Sequence, residues 1–208
     1  MKTISGNTSR SQSERRKHTR NVLLDATIAV LLKSGFEGCS LAKVAKEAGL
    51  TTGSVQHHFS TKSQLMLAVV EQKIFTGSED DSTVLATVSQ TSIAERCEQL
   101  VAWQWRFYGN PVYPAFWAII LGGRSDPDMM EQLSIWQQKA VFRHERLIKA
   151  VFSDAKLKPS EVQSIQYFIN AHLRGLALLQ TIEPAPKTVG KQLKMLATML
   201  DDHLNATR

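Results

Sequence analysis

The residues between 51 and 59 combine several hydrogen-bonding side chains with no acidic residue. Read as a helix, this stretch turns Val55 and Phe59 inward and leaves Thr52, Gly53 and Gln56 facing outward. A glutamine amide can pair with adenine through two hydrogen bonds, and a threonine can reach base edges or a thymine methyl group. A glycine lets the backbone approach closely because it has no side chain. The chemistry that these residue types suit is the reading of DNA bases in the major groove.

Hydrogen-bond donors that suit phosphate oxygens surround these three residues. Such contacts set the register of a protein on DNA but carry little sequence information. The next helix is predicted to carry Lys62 in its first turn, where free backbone N–H groups also favour anions. The candidate phosphate ligands are Ser40, Ser54, His57, His58 and Lys62.

Each of these residues also has an ordinary structural interpretation. Gly53 is compatible with a simple turn glycine, and Lys62 with a solvated lysine. The His57-His58 pair suggests a metal site, but adjacent helical residues point about 100° apart, which disfavours two ligands to one ion. We expect no metal and no cofactor. The DNA-binding interpretation is favoured over the ordinary ones because all these residues fall within about 20 positions of the sequence.

The net charge of the chain is confined to its first third. Residues 1–75 hold 11 Lys and Arg against 5 Asp and Glu, whereas residues 76–208 hold 14 of each kind. This asymmetry is typical of a nucleic-acid-binding end joined to a neutral remainder. A merely solvated basic surface is the alternative on charge alone.

Helical periodicity and capping residues predict four helices before residue 76. Ser40 and Thr51 are candidate N-caps, and Thr61-x-x-Gln64 is a capping-box pattern. Gly35 and Gly49 are expected to end the helices that precede them. The predicted helices run over residues 16–34, 41–48, 52–59 and 61–70.

The remainder has no alternating strand pattern and is also predicted to be helical. A polar, acidic break at 77–82 separates it from the first part. Ser92-x-x-Glu95 and Ser160-x-x-Gln163 are cap patterns, and Pro159 suits the first position of a helix. The predicted helices run over about 93–108, 115–121, 127–152, 159–182 and 189–204. The predicted domains are a disordered basic tail at 1–14, a helix-turn-helix domain at 15–75, and a ligand-binding and dimerisation domain at 76–208.

Residues 16–70 resemble the DNA-binding domain of the tetracycline-repressor (TetR) family. The matching frame is Leu24-Asp25-Ala26, Lys33-Ser34-Gly35-Phe36, residues 40–50 (SLAKVAKEAGL) and residues 52–65 (TGSVQHHFSTKSQL). The resemblance covers about a quarter of the chain. It implies an all-α fold, with a three-helix helix-turn-helix domain followed by a helical bundle. It also implies a homodimer that binds a double-stranded DNA operator and is released by a small-molecule effector.

This chain departs from the family pattern at Gln56, where the family commonly has an aromatic residue, usually Tyr. We hypothesise that Gln56 reads an adenine in the operator. By analogy with N-terminal arms of other DNA-binding proteins, Arg10, Arg15 and Arg16 are candidates for minor-groove contacts. A flexible tail with loose phosphate attraction is the alternative.

The resemblance implies that the last two long helices pair with those of a second copy in a four-helix bundle. Their wide apolar stripes agree, although one monomeric bundle is the alternative. Four Trp within about 35 residues suggest a partly aromatic pocket for an apolar or aromatic effector. Most of these aromatic residues are nevertheless expected to be core. The candidate pocket residues are Trp103, Gln104, Phe107, Trp117, Arg124, Trp136, Asn170, His172 and Arg174.

Several other classes find no support in the sequence. No apolar run approaches the roughly 20 residues that span a bilayer, and no apolar signal region opens the chain, so we expect a cytoplasmic protein without membrane contact. Cys39 and Cys97 lack metal or redox spacing. Phosphate-loop, serine-hydrolase and metal-hydrolase motifs are missing, so an enzyme is not expected. The remaining alternative is a DNA-binding protein of this fold that acts architecturally or through a protein partner, without an effector.

Overall fold

Two groups of helices make up the described part of the chain. The computed structural model describes residues 11–75, 85 and 91–206. These residues fall into two compact units that divide between Val69 and Val70. Within the described ranges every regular element is helical and no strand occurs. The all-α prediction is therefore confirmed.

The first unit contains four α-helices, whose bounds follow the caps in the sequence. Thr51 accepts a hydrogen bond from the Ser54 N–H (3.1 Å), and Ser40 accepts one from the Lys43 N–H (3.3 Å). Both are N-cap contacts that satisfy free donors of a first helical turn. The helices are α1 (Gln12–Gly38), α2 (Leu41–Glu47), α3 (Thr52–His58) and α4 (Lys62–Val69).

Helix α1 begins four residues before the predicted start, inside the stretch expected to be a tail. Ser11 and Glu14 form a reciprocal capping box, in which the Ser11 N–H donates to Glu14 Oε2 (2.8 Å) and the Glu14 N–H donates to Ser11 Oγ (3.2 Å). This box fixes the start of the helix because it satisfies two free donors at once. Residues 1–10 lie outside the described part of the chain.

Two glycines set the turns of the first unit. Gly35 (φ 65°) interrupts α1 near its end, and Gly49 (φ 66°) lies in the turn between α2 and α3. Both have the left-handed backbone that side chains with a Cβ rarely adopt. The core that these turns close is formed by α1 against α2 and α4, and by α2 against α3. Its fully buried side chains include Leu23, Leu24, Val44, Val55, Leu65 and Met66.

The second unit opens with a π-helical segment, Val70–Phe75, which we call the π-segment. It follows α4 directly in the chain. π-helical turns are rare in proteins. Those that occur are frequently found at functional sites. The helices after it are α5 (Ile93–Tyr108), α6 (Tyr113–Gly122), α7 (Pro127–Val151), α8 (Pro159–Ile182) and α9 (Pro186–Ala206), with a short 3-10 turn at Ser153–Ala155.

The capping predictions in the second unit have different outcomes. The Ser92–Glu95 box at the start of α5 is confirmed, with reciprocal hydrogen bonds of 2.8 and 3.3 Å. The prediction that Ser160 and Gln163 cap α8 is wrong. That helix begins at Pro159, and the Glu161 carboxylate accepts from the Lys158 N–H at 2.6 Å. Because Glu161 lies three residues after Lys158, it fills the position from which a carboxylate reaches back to the cap.

Helix α8 is central to the second unit and packs against α5, α6, α7 and α9. A buried arginine joins α5 to the end of α7 and to the 3-10 turn: Arg96 on α5 donates to Val151 O (2.8 Å) and to both carboxylate oxygens of Asp154 (2.8 and 2.9 Å). The π-segment packs on α6 and α7. None of the helices described here is both long and apolar enough to cross a membrane.

Candidate nucleic-acid interface and cavity

Helix α3 exposes the three residues predicted to read bases. Thr52, Gly53 and Gln56 are exposed, whereas Val55 and Phe59 are buried. Helix α3 packs on α2, the Phe59 ring lies 4.5 Å from the Arg20 guanidinium of α1, and the Thr51 cap fixes where the helix starts. The outward face therefore has a fixed position on the first unit.

No packing within the first unit requires a glycine at position 53. A Cβ added there would meet only Thr51 Oγ1, at 3.9 Å, which is ordinary van der Waals contact. The backbone angle φ of Gly53 is also outside the left-handed region, unlike the φ angles of Gly35 and Gly49. An external surface that approaches the backbone would account for this glycine, whereas the fold of the unit does not.

The predicted phosphate ligands differ in exposure. Ser40 and His57 are exposed, and Ser54 and His58 are half-buried. Burial lowers the pKa of His58, and the positive charges of His57, Arg16 and Arg20 lower it further. The end of α3 thus lies in a cationic environment shared with the first turns of α1.

Lys62 has a contact within the protein that the sequence did not predict. Its ammonium donates to Phe36 O (2.6 Å) and lies 4.0 Å from the centre of the Phe36 ring. A hydrogen bond to a carbonyl oxygen and a cation–π contact together fix the start of α4 against the end of α1. Lys62 therefore has a structural role beside the predicted phosphate contact.

The arginines predicted to enter a minor groove occupy different places. Arg15 and Arg16 lie exposed in the first turns of α1, so they belong to a helix. Arg10 lies outside the described residues. Arg16 lies near enough to the end of α3 for its charge to lower the pKa of His58.

The second unit contains a cavity of ≈ 570 Å³. The π-segment, α5, α6, α7 and α8 all contribute to its wall. Rings in the wall contact one another edge to face, as between Tyr108 and Tyr113 (centroids 5.1 Å apart). Its volume lies in the range of small-molecule sites, about 300–1,000 Å³. The aromatic residues of the wall are Phe75, Trp103, Phe107, Tyr108, Tyr113, Phe116 and Trp136.

Six of the nine predicted pocket residues line this cavity: Trp103, Gln104, Phe107, Trp136, Asn170 and Arg174. The other three lie outside its wall. Arg124 is exposed, His172 is half-buried elsewhere on α8, and the Trp117 ring packs at 90° to Tyr113 (6.4 Å). The sequence did not single out several further wall residues, including Tyr108, Tyr113, Arg143, His144 and Gln166.

One spacing signal could have found an additional member. Gln166, Asn170 and Arg174 recur every four residues on α8, and all three line the cavity. Extending the Asn170–Arg174 pair by one turn toward the start of the helix predicts Gln166. No comparable signal marks His144, since α7 carries polar residues on most of its surface.

The cavity wall holds polar atoms that lack a partner in the described structure. The Tyr108 hydroxyl donates to Asn170 Oδ1 (2.9 Å), and Gln166 Nε2 donates to Val141 O (3.3 Å). Other buried polar atoms of the wall have no hydrogen-bond partner among the described residues. They include Gln104 Oε1, Tyr113 Oη, Gln166 Oε1 and Arg174 Nε.

The ionisable groups of the wall are perturbed by burial. Burial lowers the pKa of His144 to about 4, and the nearby Arg143 and Arg174 contribute in the same direction. The imidazole is therefore neutral near pH 7. Burial also raises the pKa values of the Tyr108 and Tyr113 hydroxyls, so both remain protonated hydrogen-bond donors.

A capped helix-turn-helix with an exposed second helix, followed by a helical unit around a cavity, is the arrangement expected of a helix-turn-helix transcriptional regulator. The family model described as bacterial regulatory proteins of the tetR family matches residues 23–69. The first unit therefore carries the DNA-binding domain of the tetR family, and the chain resembles transcriptional regulators of that family over most of its length.

Curated relatives and solved structures are similar to this chain over most of its length. The HTH-type transcriptional regulator CymR of Pseudomonas putida is 26% identical over 169 residues, which are 81% of this chain and 82% of CymR. A transcriptional regulator from Rhodococcus has a TM-score of 0.64 at 23% identity, with 86% and 94% of the two chains covered. FadR of Bacillus subtilis, solved in complex with stearoyl-CoA, has a TM-score of 0.63 at 13% identity, with 88% and 96% covered. These structural likenesses show a shared fold.

Proposed function

We propose that this protein is a ligand-responsive repressor that binds an operator as a homodimer and leaves it when an apolar or aromatic small molecule binds. The observation that supports the proposal most is the cavity in the second unit. Its wall includes the π-segment, which follows α4 of the DNA-binding unit directly in the chain. A ligand in the cavity would contact the π-segment, which joins the two units in the chain.

The exposed face of α3 supports DNA as the partner of the first unit. Thr52 and Gln56 present hydrogen-bonding groups outward, and Gly53 leaves room for close backbone approach. The cationic start of α1 lies beside the same helix, where phosphates would pass. In this proposal Thr52, Gly53 and Gln56 contact bases, and Ser40, Ser54, His57, His58 and Lys62 contact phosphates.

Exposed apolar side chains on α8 and α9 support a homodimer. Ile182 is 82% exposed and Tyr167 is 70% exposed, far more than is usual for large apolar residues of a monomer. Further members recur at helical spacing, so each helix carries an apolar stripe beside the one that it buries. They are Phe168, Leu178 and Leu179 on α8, and Met195 and Met199 on α9.

The proposed mechanism is a shift between two states. The cavity wall has two possible packings, and an effector binds one of them more tightly. The equilibrium then shifts toward that packing, by an amount set by the difference between the two affinities. In the preferred state the π-segment and α4 would change the spacing of the two α3 helices in the dimer. Coupling of about 1–3 kcal/mol would weaken operator binding roughly 5- to 150-fold.

Two linked measurements test this function. Selection of binding sequences from random double-stranded DNA, followed by titration of the purified dimer, should give a palindromic site with a defined half-site spacing. A panel of anionic, neutral and cationic apolar compounds is then screened by melting temperature, and each stabilising compound is added to the protein–operator complex. Sequence-specific binding that no stabilising compound weakens would favour a regulator without a small-molecule effector.

A further inference from the structure

We propose that the cavity takes an organic anion, with a single carboxylate head and an aromatic or aliphatic body. This inference rests on the proposed function and names the chemical class of its effector. Three observations support it: the charge of the wall, the position of Arg174, and the buried polar atoms that have no partner. A fourth, the aromatic lining, limits the head group to one charge.

The wall of the cavity has a strong excess of positive charge. Its ionisable residues include five Lys and Arg and one carboxylate. His144 adds no charge near pH 7, because burial and the neighbouring arginines keep its pKa at about 4. The charged wall residues are Lys73, Arg106, Lys139, Arg143, Arg174 and Glu71.

Arg174 is placed to bind an anion within the cavity. It is half-buried on α8, on the same face as Asn170 and Gln166, and its buried Nε has no hydrogen-bond acceptor. The guanidinium lies close enough to Tyr108 to lower the pKa of that hydroxyl against the effect of burial. A carboxylate accepts two parallel N–H donors from one guanidinium, which would satisfy the free Nε.

The third observation concerns polar side chains that are almost fully buried. Tyr113 and Gln104 are each 2% exposed, and Tyr113 Oη and Gln104 Oε1 lack partners. A buried polar atom without a partner is destabilising, so such groups normally have an acceptor or donor beside them. The Tyr113 hydroxyl can donate to the same carboxylate, and Gln104 can bind a polar substituent of the body.

The remaining wall determines the body and the charge of the ligand. Phe75, Trp103, Phe107, Phe116 and Trp136 offer ring surfaces that suit an aromatic or aliphatic group. Burying a charge among such rings is costly unless every charge is paired. A phosphate monoester carries about two negative charges near pH 7 and would add to this cost, whereas a carboxylate carries one. The wall therefore favours the carboxylate.

The test uses two matched series of compounds on the full-length protein. The carboxylates are 2-naphthoate and decanoate, and each is compared with its primary amide, its alkylammonium analogue and its phosphate monoester. Melting temperature and titration calorimetry report binding, and release of the selected operator reports the response. We expect at least one carboxylate to bind, with its amide about 30-fold weaker or worse.

Variants assign the carboxylate to its proposed partner. Arg174→Gln should weaken carboxylate binding by about 30-fold and leave amide binding unchanged. Arg174→Lys keeps the positive charge but lacks the two parallel N–H donors of the guanidinium. Its affinity for the carboxylate should therefore lie between those of the unsubstituted protein and Arg174→Gln. Tyr113→Phe removes one donor and should cost about 5-fold. Arg146→Gln, at an exposed arginine of α7 outside the cavity wall, is the matched control.

Each outcome decides between the two proposals. If amides, ammonium compounds or phosphates bind as well as carboxylates and release the operator, the carboxylate assignment fails and the effector-responsive function stands. If no compound of any charge binds, the effector-responsive function fails with it. If Arg174→Gln does not fold, Arg174→Lys and Tyr113→Phe must both weaken carboxylate binding for the assignment to survive.

Discussion

Gln56 is the residue of α3 at which the sequence departs from the TetR-family pattern that it otherwise resembles. Its side chain is exposed on α3, between the exposed Gly53 and His57. Residue type and spacing were sufficient to predict the outward face, because Val55 and Phe59 could only serve as anchors. They could not predict that Lys62 contacts Phe36, since that contact joins residues 26 positions apart.

Gly53→Ala should separate DNA affinity from stability. Alanine has a higher helix propensity than glycine and meets no close neighbour here, so unfolding free energy should stay the same or rise by about 0.5–1 kcal/mol. Operator affinity should nevertheless fall, because the added methyl group lies on the face proposed to approach the bases. Thermal melts and operator titrations check both effects. Unchanged affinity would remove Gly53 from the interface.

Gln56→Ala should relax specificity at one position of each half-site. A bidentate contact contributes about 1–3 kcal/mol of discrimination against a wrong base. Titration against all single-base variants of the operator should therefore show one adenine whose replacement no longer matters. Gln163→Ala, at an exposed glutamine of α8, provides the comparison. An equal loss of affinity for all operator variants would mean that Gln56 contacts only the sugar-phosphate backbone of the DNA.

At the scale of elements, cap residues predicted most helix starts. Thr51, Ser92 and Pro159 each stand where the pattern placed them, because a cap is a local interaction within four residues. The π-segment had no such signal, since hydrophobic periodicity does not separate π from α turns over six residues. The cavity was only partly predictable: Phe116 lines it and the adjacent Trp117 does not, although both are aromatic residues of one short helix.

Lys62→Met tests how α1 and α4 are held together. Removing the ammonium takes away one of the two donors to Phe36 O, which keeps the Cys39 N–H (3.1 Å), and removes the cation–π contact. We expect a loss of about 1–2 kcal/mol in the stability of the first unit, measured by denaturant unfolding. Lys43→Met, at an exposed lysine of α2, should have little effect on stability. If Lys62 acted only on phosphate, its replacement would reduce the salt dependence of DNA binding and leave unfolding unchanged.

At the scale of the whole molecule, charge and burial are distributed unequally between the two ends. The excess of positive charge lies before residue 76, and the neutral remainder supplies most of the cavity wall. This division follows from two different tasks, because phosphate attraction needs exposed cations and a ligand cavity needs enclosed apolar surface. Composition alone indicated the first task. The second needed the packing of five chain segments, which no local pattern encodes.

Operator binding should depend steeply on salt. Neutralising six to ten phosphates per dimer implies that affinity falls about 10³- to 10⁵-fold between 50 and 200 mM salt. Fluorescence anisotropy at four salt concentrations would give the slope. A flat response would argue against a phosphate-based interface on α1 and α3.

Acid should destabilise the second unit through His144. The unfolded imidazole takes up a proton near pH 6.5, whereas the folded one does so near pH 4. Stability is therefore unaffected by this residue above about pH 6.5. It falls as the pH drops toward 4, by up to about 1.4 kcal/mol per unit. Melting curves of His144→Gln should lose this slope, and those of His18→Gln, at an exposed histidine, should keep it.

The two cysteines supply a natural pair of reporters. The chain has no others: Cys39 is buried in the first unit and Cys97 in the second, and burial raises the pKa of each thiol. Since only an exposed thiolate reacts quickly, each sulfur should be modified only when its own unit opens. In Cys39→Ala only Cys97 can react, and in Cys97→Ala only Cys39 can, so the rate of thiol modification in each variant reports the opening of one unit. A slower rate after addition of operator or effector would show which unit that ligand stabilises.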